Sequence, residues 1–215
     1  MDINGRINSA VTAAESGDNT RAARDYEIAF HALMKSSAGM DRADHATAVR
    51  SISFNLAQVL NKLGKHKDAL NYVNEGLKHT PTSLGLAIAY AAKGEALCGL
   101  GRKAEGLQLF SDAAGAHPVV GHINSAESMA RLGSDELNSL AEQWISNVET
   151  MYGGRINESQ RAEIKAIRKQ ISANKQSPRS TSNGNNTRMS NANGTSSASE
   201  GLVSKIKRLF GGRKS

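Results

Sequence analysis

The fold is decided by FNLAQVLNKLGKHKDALNYVNEGLKHTP (residues 54–81), a stretch whose pattern recurs in YAAKGEALCGLGRKAEGLQLFSDAAGAHP (residues 90–118). In both stretches a glycine separates two helical runs, small residues follow at matching positions, and a proline closes the unit. The matching residues are Gly64 and Gly101, Ala69 and Gly106, Gly76 and Ala113, and Pro81 and Pro118. Glycine lets the chain reverse, small residues let helices approach, and proline stops a helix. The pattern predicts consecutive helical hairpins.

Apolar residues recur at helical spacing on both sides of these glycines. One stripe consists of Ile52, Leu56, Val59, Leu60 and Leu63, on a helix expected to start near Asp44. Another consists of Leu137, Leu140, Ala141, Trp144, Val148 and Met151, with Ser134 as its expected N-cap. No clear alternation of the kind that strands show is present up to residue 175. We therefore predict an all-α chain.

The two aligned units resemble the tetratricopeptide repeat family, whose unit is a helix–turn–helix of about 34 residues. An earlier copy places Gly17, Ala22, Tyr26 and Ala29 in the same slots, and a degenerate fourth copy uses Gly133. The stretch SSAGMDRADH (36–45) also resembles the loops of the longer kinesin-light-chain repeats. The resemblance covers residues 3–152 and implies a TPR-like solenoid of stacked hairpins.

Four segments follow from this interpretation. We predict a TPR-like repeat domain over residues 1–152 and a capping helix over 153–176. Asn157 is the expected cap of that helix, and its apolar edge is Ile164, Ile167 and Ile171. The Ser- and Asn-rich stretch 177–199 is too polar to bury a core, so it is expected to be a disordered linker. A basic amphipathic tail occupies 200–215.

The family resemblance implies a concave groove, lined by the first helix of each unit, that holds a peptide or helix of a partner protein. In the second unit the groove residues would be Ser51, Phe54, Gln58, Asn61 and Lys62. In the third unit they would be Ile88, Ala91, Glu95, Cys98 and Gly99. The third set is mostly small and apolar, which favours an apolar partner segment.

Motifs of catalysis and of cofactor binding are not found. There is no phosphate-binding glycine loop, paired-histidine zinc helix or Cys-x-x-Cys. His117 and His122 have poor metal-ligand spacing, and Cys98 is the sole cysteine, which fits a reducing compartment. We predict that the protein is not an enzyme and uses no cofactor or metal.

Charge is distributed unevenly along the chain. Of 27 Lys and Arg residues seven lie after Lys175, against one of the 20 acidic residues, so the tail carries +6 and the body +1. A nearly neutral body argues against a nucleic-acid-binding face, which needs clustered cations. With no signal-peptide pattern and no apolar run of spanning length, we expect a cytoplasmic location, with possible attachment to a membrane surface or to an organelle or compartment.

The tail has the pattern of a short amphipathic helix. Its apolar face is Leu202, Val203, Ile206, Leu209 and Phe210, and its cations Lys205, Lys207 and Arg208 lie largely off that face. Such a helix of about 12 residues is marginal in water and is expected to fold on binding. Three targets are open: an anionic membrane surface, a targeting receptor or compartment shell that reads or loads it as cargo, and the protein's own groove. The sequence thus predicts an adaptor whose groove binds a protein while its tail localises it.

Overall fold

The computed structural model describes residues 2–35, 40–79 and 81–176. Of these residues 88% are helical and none is in a strand, so the all-α prediction is confirmed for the described part of the chain. The helices in these ranges are α1 (Ile3–Glu15), α2 (Asn19–Lys35), α3 (Arg42–Lys62), α4 (His66–Leu77), α5 (Ser83–Gly99), α6 (Lys103–Ala116), α7 (Pro118–Leu132), α8 (Asp135–Tyr152) and α9 (Glu158–Gln176). A short 3-10 turn, Gly153–Arg155, links α8 to α9.

The helices pack in chain order. Each of α1, α3, α5 and α7 packs extensively against the helix that follows it, so the described chain forms four helical hairpins. Further contacts join α2 to α3, α4 to α5 and α6 to α7, and the odd-numbered helices α3, α5, α7 and α9 contact one another in sequence. As a result α5 lies among four neighbours, namely α3, α4, α6 and α7.

Glycine makes the turn within every one of these four hairpins. Gly17, Gly64, Gly101 and Gly133 have φ of 81°, 71°, 81° and 76°. At the second turn the amide of Lys65 donates to the carbonyl of Leu60 at 2.9 Å, which satisfies a carbonyl at the end of α3. A side chain is unfavourable at this left-handed φ, which explains why glycine marks each turn.

The prolines do more than close the preceding helix. Pro118 is the first residue of α7, and Pro81 directly precedes Thr82, the N-cap of α5. The first position of a helix suits proline because its backbone N–H would have no intrahelical partner there. The Thr82 hydroxyl accepts a hydrogen bond from the Gly85 amide at 3.1 Å. Pro118 therefore helps to start the fourth hairpin, and Pro81 directly precedes the cap that starts the third.

The small residues predicted from the sequence do sit where helices approach closely. A Cβ added to Gly106 would lie 2.6 Å from the Gly94 carbonyl oxygen and would also meet the Cys98 sulfur. A Cβ added to Gly76 would lie 2.6 Å from the Phe54 ring. Ala69 is fully buried, and so is Ala113. These contacts set the distance between the two helices of a hairpin, and larger side chains there would force them apart.

The apolar side chains form two buried clusters. One is built from α1 to α5, and the other from α6 to α9. Ile164, Ile167 and Ile171 of α9 belong to the second cluster, as their spacing predicts. Asn157 caps α9 as expected: its side chain accepts from the Gln160 amide at 2.9 Å, while Gln160 accepts from the Asn157 amide at 3.1 Å.

The linker 177–199 and the tail 200–215, with the predicted target-binding residues Leu202 to Phe210, lie outside the described residues. Among the helices that are described, none combines the length and the apolar character needed to cross a membrane.

Candidate functional site

The structure places most of the predicted groove residues inside the helix packing. Three of them are half-buried, namely Gln58, Lys62 and Cys98. Six are buried, with at most 7% of the surface exposed: Ser51, Phe54, Asn61, Ile88, Ala91 and Glu95. Gly99 is exposed. Contact of these residues with a partner stays a prediction, and the half-buried ones are those that offer accessible side-chain surface.

This burial corrects the expectation of an open, small and apolar surface on the third unit. Ile88 is 3% exposed and Ala91 is 1% exposed, because α5 is covered by four other helices. Phe54 is buried for a related reason, since its ring fills the space left beside Gly76. In α3 all residues from 51 to 57 are buried. The repeat register alone predicts that one side of the first helix of each hairpin is exposed. In the structure, neighbouring helices cover much of that side.

Polar side chains converge where α3, α5 and α7 end. We call this group the polar cluster, and it consists of Asn61, Lys62, His66, Glu95, Glu127, Ser128 and Arg131. Asn61, Lys62 and Glu95 are predicted groove residues, so the fold does bring these three together. Within the described part of the chain, Cys98 and Gln58 make no hydrogen bond to this group. The cluster joins three successive hairpins.

Glu95 and Arg131 form the centre of the polar cluster. Arg131 grips Glu95 with two parallel hydrogen bonds, Nε to Oε1 at 2.8 Å and Nη2 to Oε2 at 2.9 Å. The Ser128 hydroxyl donates to Glu95 Oε2 at 2.9 Å, and Arg131 Nη1 donates to Glu127 Oε1 at 2.8 Å. The Glu95 side chain is 3% exposed, so its charge is compensated almost entirely by protein groups.

A second set of contacts holds the α3 side of the cluster. Asn61 Nδ2 donates to the carbonyl of Ala92 in α5 at 2.7 Å, and Asn61 Oδ1 shares a hydrogen bond of 3.1 Å with His66 Nδ1. The His66 ring lies directly against Gly99, in the space that a Cβ there would occupy. Burial lowers the pKa of His66. The second and third hairpins are therefore joined by polar contacts beside their packing.

Charges within the polar cluster shift one another's pKa values. Burial alone would raise the pKa of Glu127, but the positive charges of Arg131 and Lys62 outweigh it and lower the pKa. Burial would likewise lower the pKa of Arg131, yet Glu95 and Glu127 raise it. Glu127 and Arg131 therefore both stay ionised at neutral pH.

Lys62 is the member of the cluster with unused capacity. Burial lowers its pKa, with partial compensation by Glu127. Within the described part of the chain, its ammonium group makes no hydrogen bond and no ion pair within 4 Å. A half-buried ammonium gains from an acceptor that a ligand brings, because the ligand would replace missing hydrogen bonds.

Other candidate chemistry finds little support in the geometry. Burial raises the pKa of the Cys98 thiol, which disfavours the reactive thiolate, and its sulfur faces the Lys103 carbonyl at 3.9 Å. His117 Nδ1 accepts from the Val120 amide at 3.4 Å, and the His122 ring packs on Trp144 with centroids 4.9 Å apart. The described residues contain no group of three or more side chains suited to hold a metal ion.

Sequence reasoning missed four members of the polar cluster: His66, Glu127, Ser128 and Arg131. For two of them, Arg131 and Glu127, the sequence does contain a signal. Arg131 lies two residues before Gly133, just as Lys62 lies two residues before Gly64. Glu127 and Glu95 both lie six residues before their turn glycine. Extending the groove register to the fourth hairpin would have found both charged residues.

Comparisons of the chain with protein-family models, with curated proteins and with solved structures found no match.

Proposed function

We propose that the protein is a non-enzymatic adaptor, a TPR-like solenoid whose first helices present a binding surface to a segment of a partner protein. Support comes from the order of its contacts, in which hairpins follow one another and the odd-numbered helices from α3 to α9 contact one another in sequence. Repeat proteins use such rows of helices as extended binding surfaces.

The observation that carries this proposal is the polar cluster. Two pairs of equivalent positions, Lys62 with Arg131 and Glu95 with Glu127, come from three hairpins and meet at one place. Glu95 and Glu127 fix Arg131, while Lys62 is left with unused hydrogen-bonding capacity. In the proposed complex a partner segment supplies an acceptor to Lys62 and covers the neighbouring half-buried surface, including Gln58.

The second part of the proposal assigns the tail to an anionic membrane surface. Each Lys or Arg near such a surface contributes about 1 kcal/mol, and burial of the apolar face of the tail adds to this. Salt screens the charged part. The tail would then be a reversible anchor for the adaptor, giving a cytoplasmic protein that attaches peripherally.

The alternative keeps the adaptor but gives the tail a protein target. It would be a targeting or cargo-loading peptide read by a receptor or a compartment shell, or it would occupy the protein's own groove. One contact favours the last possibility: near the end of α9, Asn174 Nδ2 donates to the Ala130 carbonyl at 2.7 Å. The end of α9 therefore lies against Ala130, the residue before Arg131 of the polar cluster.

The groove proposal is tested with full-length protein as bait in an extract of the source cells. The comparison is between wild type and Lys62→Gln, with Lys165→Gln as a matched control on the exposed side of α9. We expect a set of captured proteins that is lost from Lys62→Gln and retained by Lys165→Gln. Equal capture by all three would contradict a role for Lys62.

The tail proposal is tested by flotation of residues 197–215, fused to a fluorescent reporter, with anionic vesicles. We expect binding at low salt that weakens at high salt, and loss of binding when Ile206 and Phe210 are changed to Ser. Replacing the three cations between Lys205 and Arg208 by Gln should reduce binding to anionic but not to neutral vesicles. No binding to anionic vesicles at low salt would favour a protein target.

A further inference from the structure

Three arginines of the first hairpin surround one buried carboxylate. Asp25 of α2 is 1% exposed, and Arg6 Nη1 lies 3.1 Å from its Oδ1. Arg24 Nε lies 3.6 Å from Oδ1, and Arg21 Nε lies 3.7 Å from Oδ2. The Ser9 hydroxyl donates to Oδ2 at 2.7 Å. We call Arg6, Arg21 and Arg24 the arginine patch.

The arginine patch carries more charge than Asp25 can neutralise. Three guanidinium groups against one carboxylate leave a surplus of two positive charges. Burial would raise the pKa of Asp25, but the hydrogen bond from Ser9 and the charges of Arg24 and Arg6 outweigh it and lower the pKa. Asp25 is therefore ionised at neutral pH, so the surplus of the arginine patch stays at two positive charges.

The guanidinium groups are accessible to a ligand. The side chains of Arg6, Arg21 and Arg24 are 45%, 57% and 65% exposed. Arginine has five N–H donors, and apart from the contacts with Asp25 only Arg21 Nη2 has a further acceptor among the described residues, the Ser9 hydroxyl at 3.1 Å. Most of the donors of the patch thus have no protein partner within the described ranges.

Asp25 holds the guanidinium groups of the arginine patch in place beside α2. One side of this helix packs into the protein, where the Phe30 ring meets Tyr72 of α4 with centroids 5.2 Å apart. Arg21 is nine residues before Phe30, which corresponds to about 180° around a helix. Arg21 therefore lies on the other side of α2 from the Phe30–Tyr72 contact with α4, and a ligand bound to Arg21 would leave that contact in place.

We propose that the arginine patch binds the phosphate group of a phosphorylated segment of a partner protein. A phosphomonoester carries about −1.5 to −2 charges at neutral pH, which matches the surplus of the patch, whereas a single carboxylate would leave it half neutralised. Guanidinium groups also match phosphate oxygens with paired hydrogen bonds. A nucleic acid strand would need cations that continue along several phosphates, and the patch has three arginines in one compact group.

The test uses full-length protein and a fluorescent peptide with one phosphoserine flanked by glycines, followed by titration and competition with inorganic phosphate. We expect saturable binding of the phosphopeptide, none of the unphosphorylated peptide, and displacement by phosphate. The double variant Arg21→Gln/Arg24→Gln should weaken binding by about tenfold or more, since it removes charge-assisted hydrogen bonds. Arg102→Gln, at an exposed arginine of another hairpin, should bind as wild type does.

Three outcomes would overturn the proposal. One is the absence of saturable binding, and another is binding that is unchanged in the double variant, which would assign it to the basic tail. The third outcome comes from a parallel measurement with phosphatidylserine vesicles. If wild type binds these vesicles but not the phosphopeptide, and the double variant no longer binds the vesicles, the patch is a lipid site. If the double variant does not fold, Arg24→Gln alone supplies the comparison, because Arg24 is the most exposed of the three.

Discussion

Two buried carboxylates have arginine partners that differ greatly in solvent exposure. Glu95 in the third hairpin and Asp25 in the first have side chains that are 3% and 1% exposed. Glu95 is gripped by a single arginine, Arg131, which also binds Glu127 and is itself only 26% exposed. Asp25 lies among three arginines that are all at least 45% exposed.

The difference separates a structural lock from a charged surface. In the polar cluster the charge of Arg131 is largely enclosed and is paired with Glu95 and Glu127, so the arginine–glutamate pair joins hairpins. In the arginine patch the positive charge faces water and exceeds what the buried acid needs. Each of the two groups is built around a buried carboxylate. The exposure of the arginines decides whether a ligand can bind to them.

The largest effect is expected from Glu95→Ala. It leaves the half-buried Arg131 without its paired acceptor and Ser128 without its hydrogen bond, so we expect a loss of about 3–5 kcal/mol in the free energy of unfolding. Urea denaturation followed by circular dichroism measures this. Glu105→Ala, which removes the exposed partner of Arg102, is the control and should change stability little. Equal effects of the two variants would contradict the lock.

Asp25→Ala should cost less, about 1–3 kcal/mol, although Asp25 is the more deeply buried acid. The reason is that Arg6, Arg21 and Arg24 reach water and can be solvated once the carboxylate is gone. The same urea denaturation compares the two alanine variants. A cost above that of Glu95→Ala would show that the arginine patch is the more important structural contact, contrary to our comparison.

The stabilisation by Asp25 should depend on pH in a defined direction. Its pKa in the folded protein is lowered below the ordinary value of 3.8, so the unfolded chain takes up the proton first as the pH falls. The stability difference between wild type and Asp25→Asn should be constant above about pH 5 and should shrink as the pH falls below 3.8. Denaturation midpoints measured from pH 6 to pH 3 test this. A difference that grows with acidity would be inconsistent with the lowered pKa.

The smallest effect on stability is expected from Lys62→Gln. Burial disfavours the charged form of Lys62, and no hydrogen-bond acceptor for its ammonium is found in the described ranges. Removing the charge should therefore change the free energy of unfolding by less than about 0.5 kcal/mol, or increase it. Thermal and urea denaturation provide the measurement. A loss comparable with that of Glu95→Ala would make Lys62 a part of the lock and not a residue with free binding capacity.

Much of the local fold was predictable because its signals are local. Gly64 and Gly101 mark turns since their backbone conformation is unfavourable for residues with a side chain, and Ser134 and Asn157 cap the helices that follow them. The isoleucines of α9 lie on one helical face and are buried together. These features depend on neighbours within about one or two helical turns, which a sequence shows directly.

The candidate site was only partly predictable because it depends on contacts between hairpins. The register identified Asn61, Lys62 and Glu95, but the burial of Ala91 follows from the way α5 is surrounded by other helices. The contact between His66 and Gly99 and the contact between Arg6 and Asp25 join residues of different helices, which no periodicity relates. The proposed roles of the tail stay predictions of the sequence.

The central claim is that the polar cluster binds a partner through Lys62, and photo-crosslinking tests it most directly. A photoreactive amino acid is placed at Gln58, a half-buried predicted groove residue of α3 four residues before Lys62, in full-length protein. Crosslinking is then compared between this protein and the same protein carrying Lys62→Gln, with Lys165→Gln as control. We predict a crosslinked partner protein that disappears with Lys62→Gln and persists with Lys165→Gln. Crosslinks that are the same in all three proteins, or none to any protein, would contradict the claim.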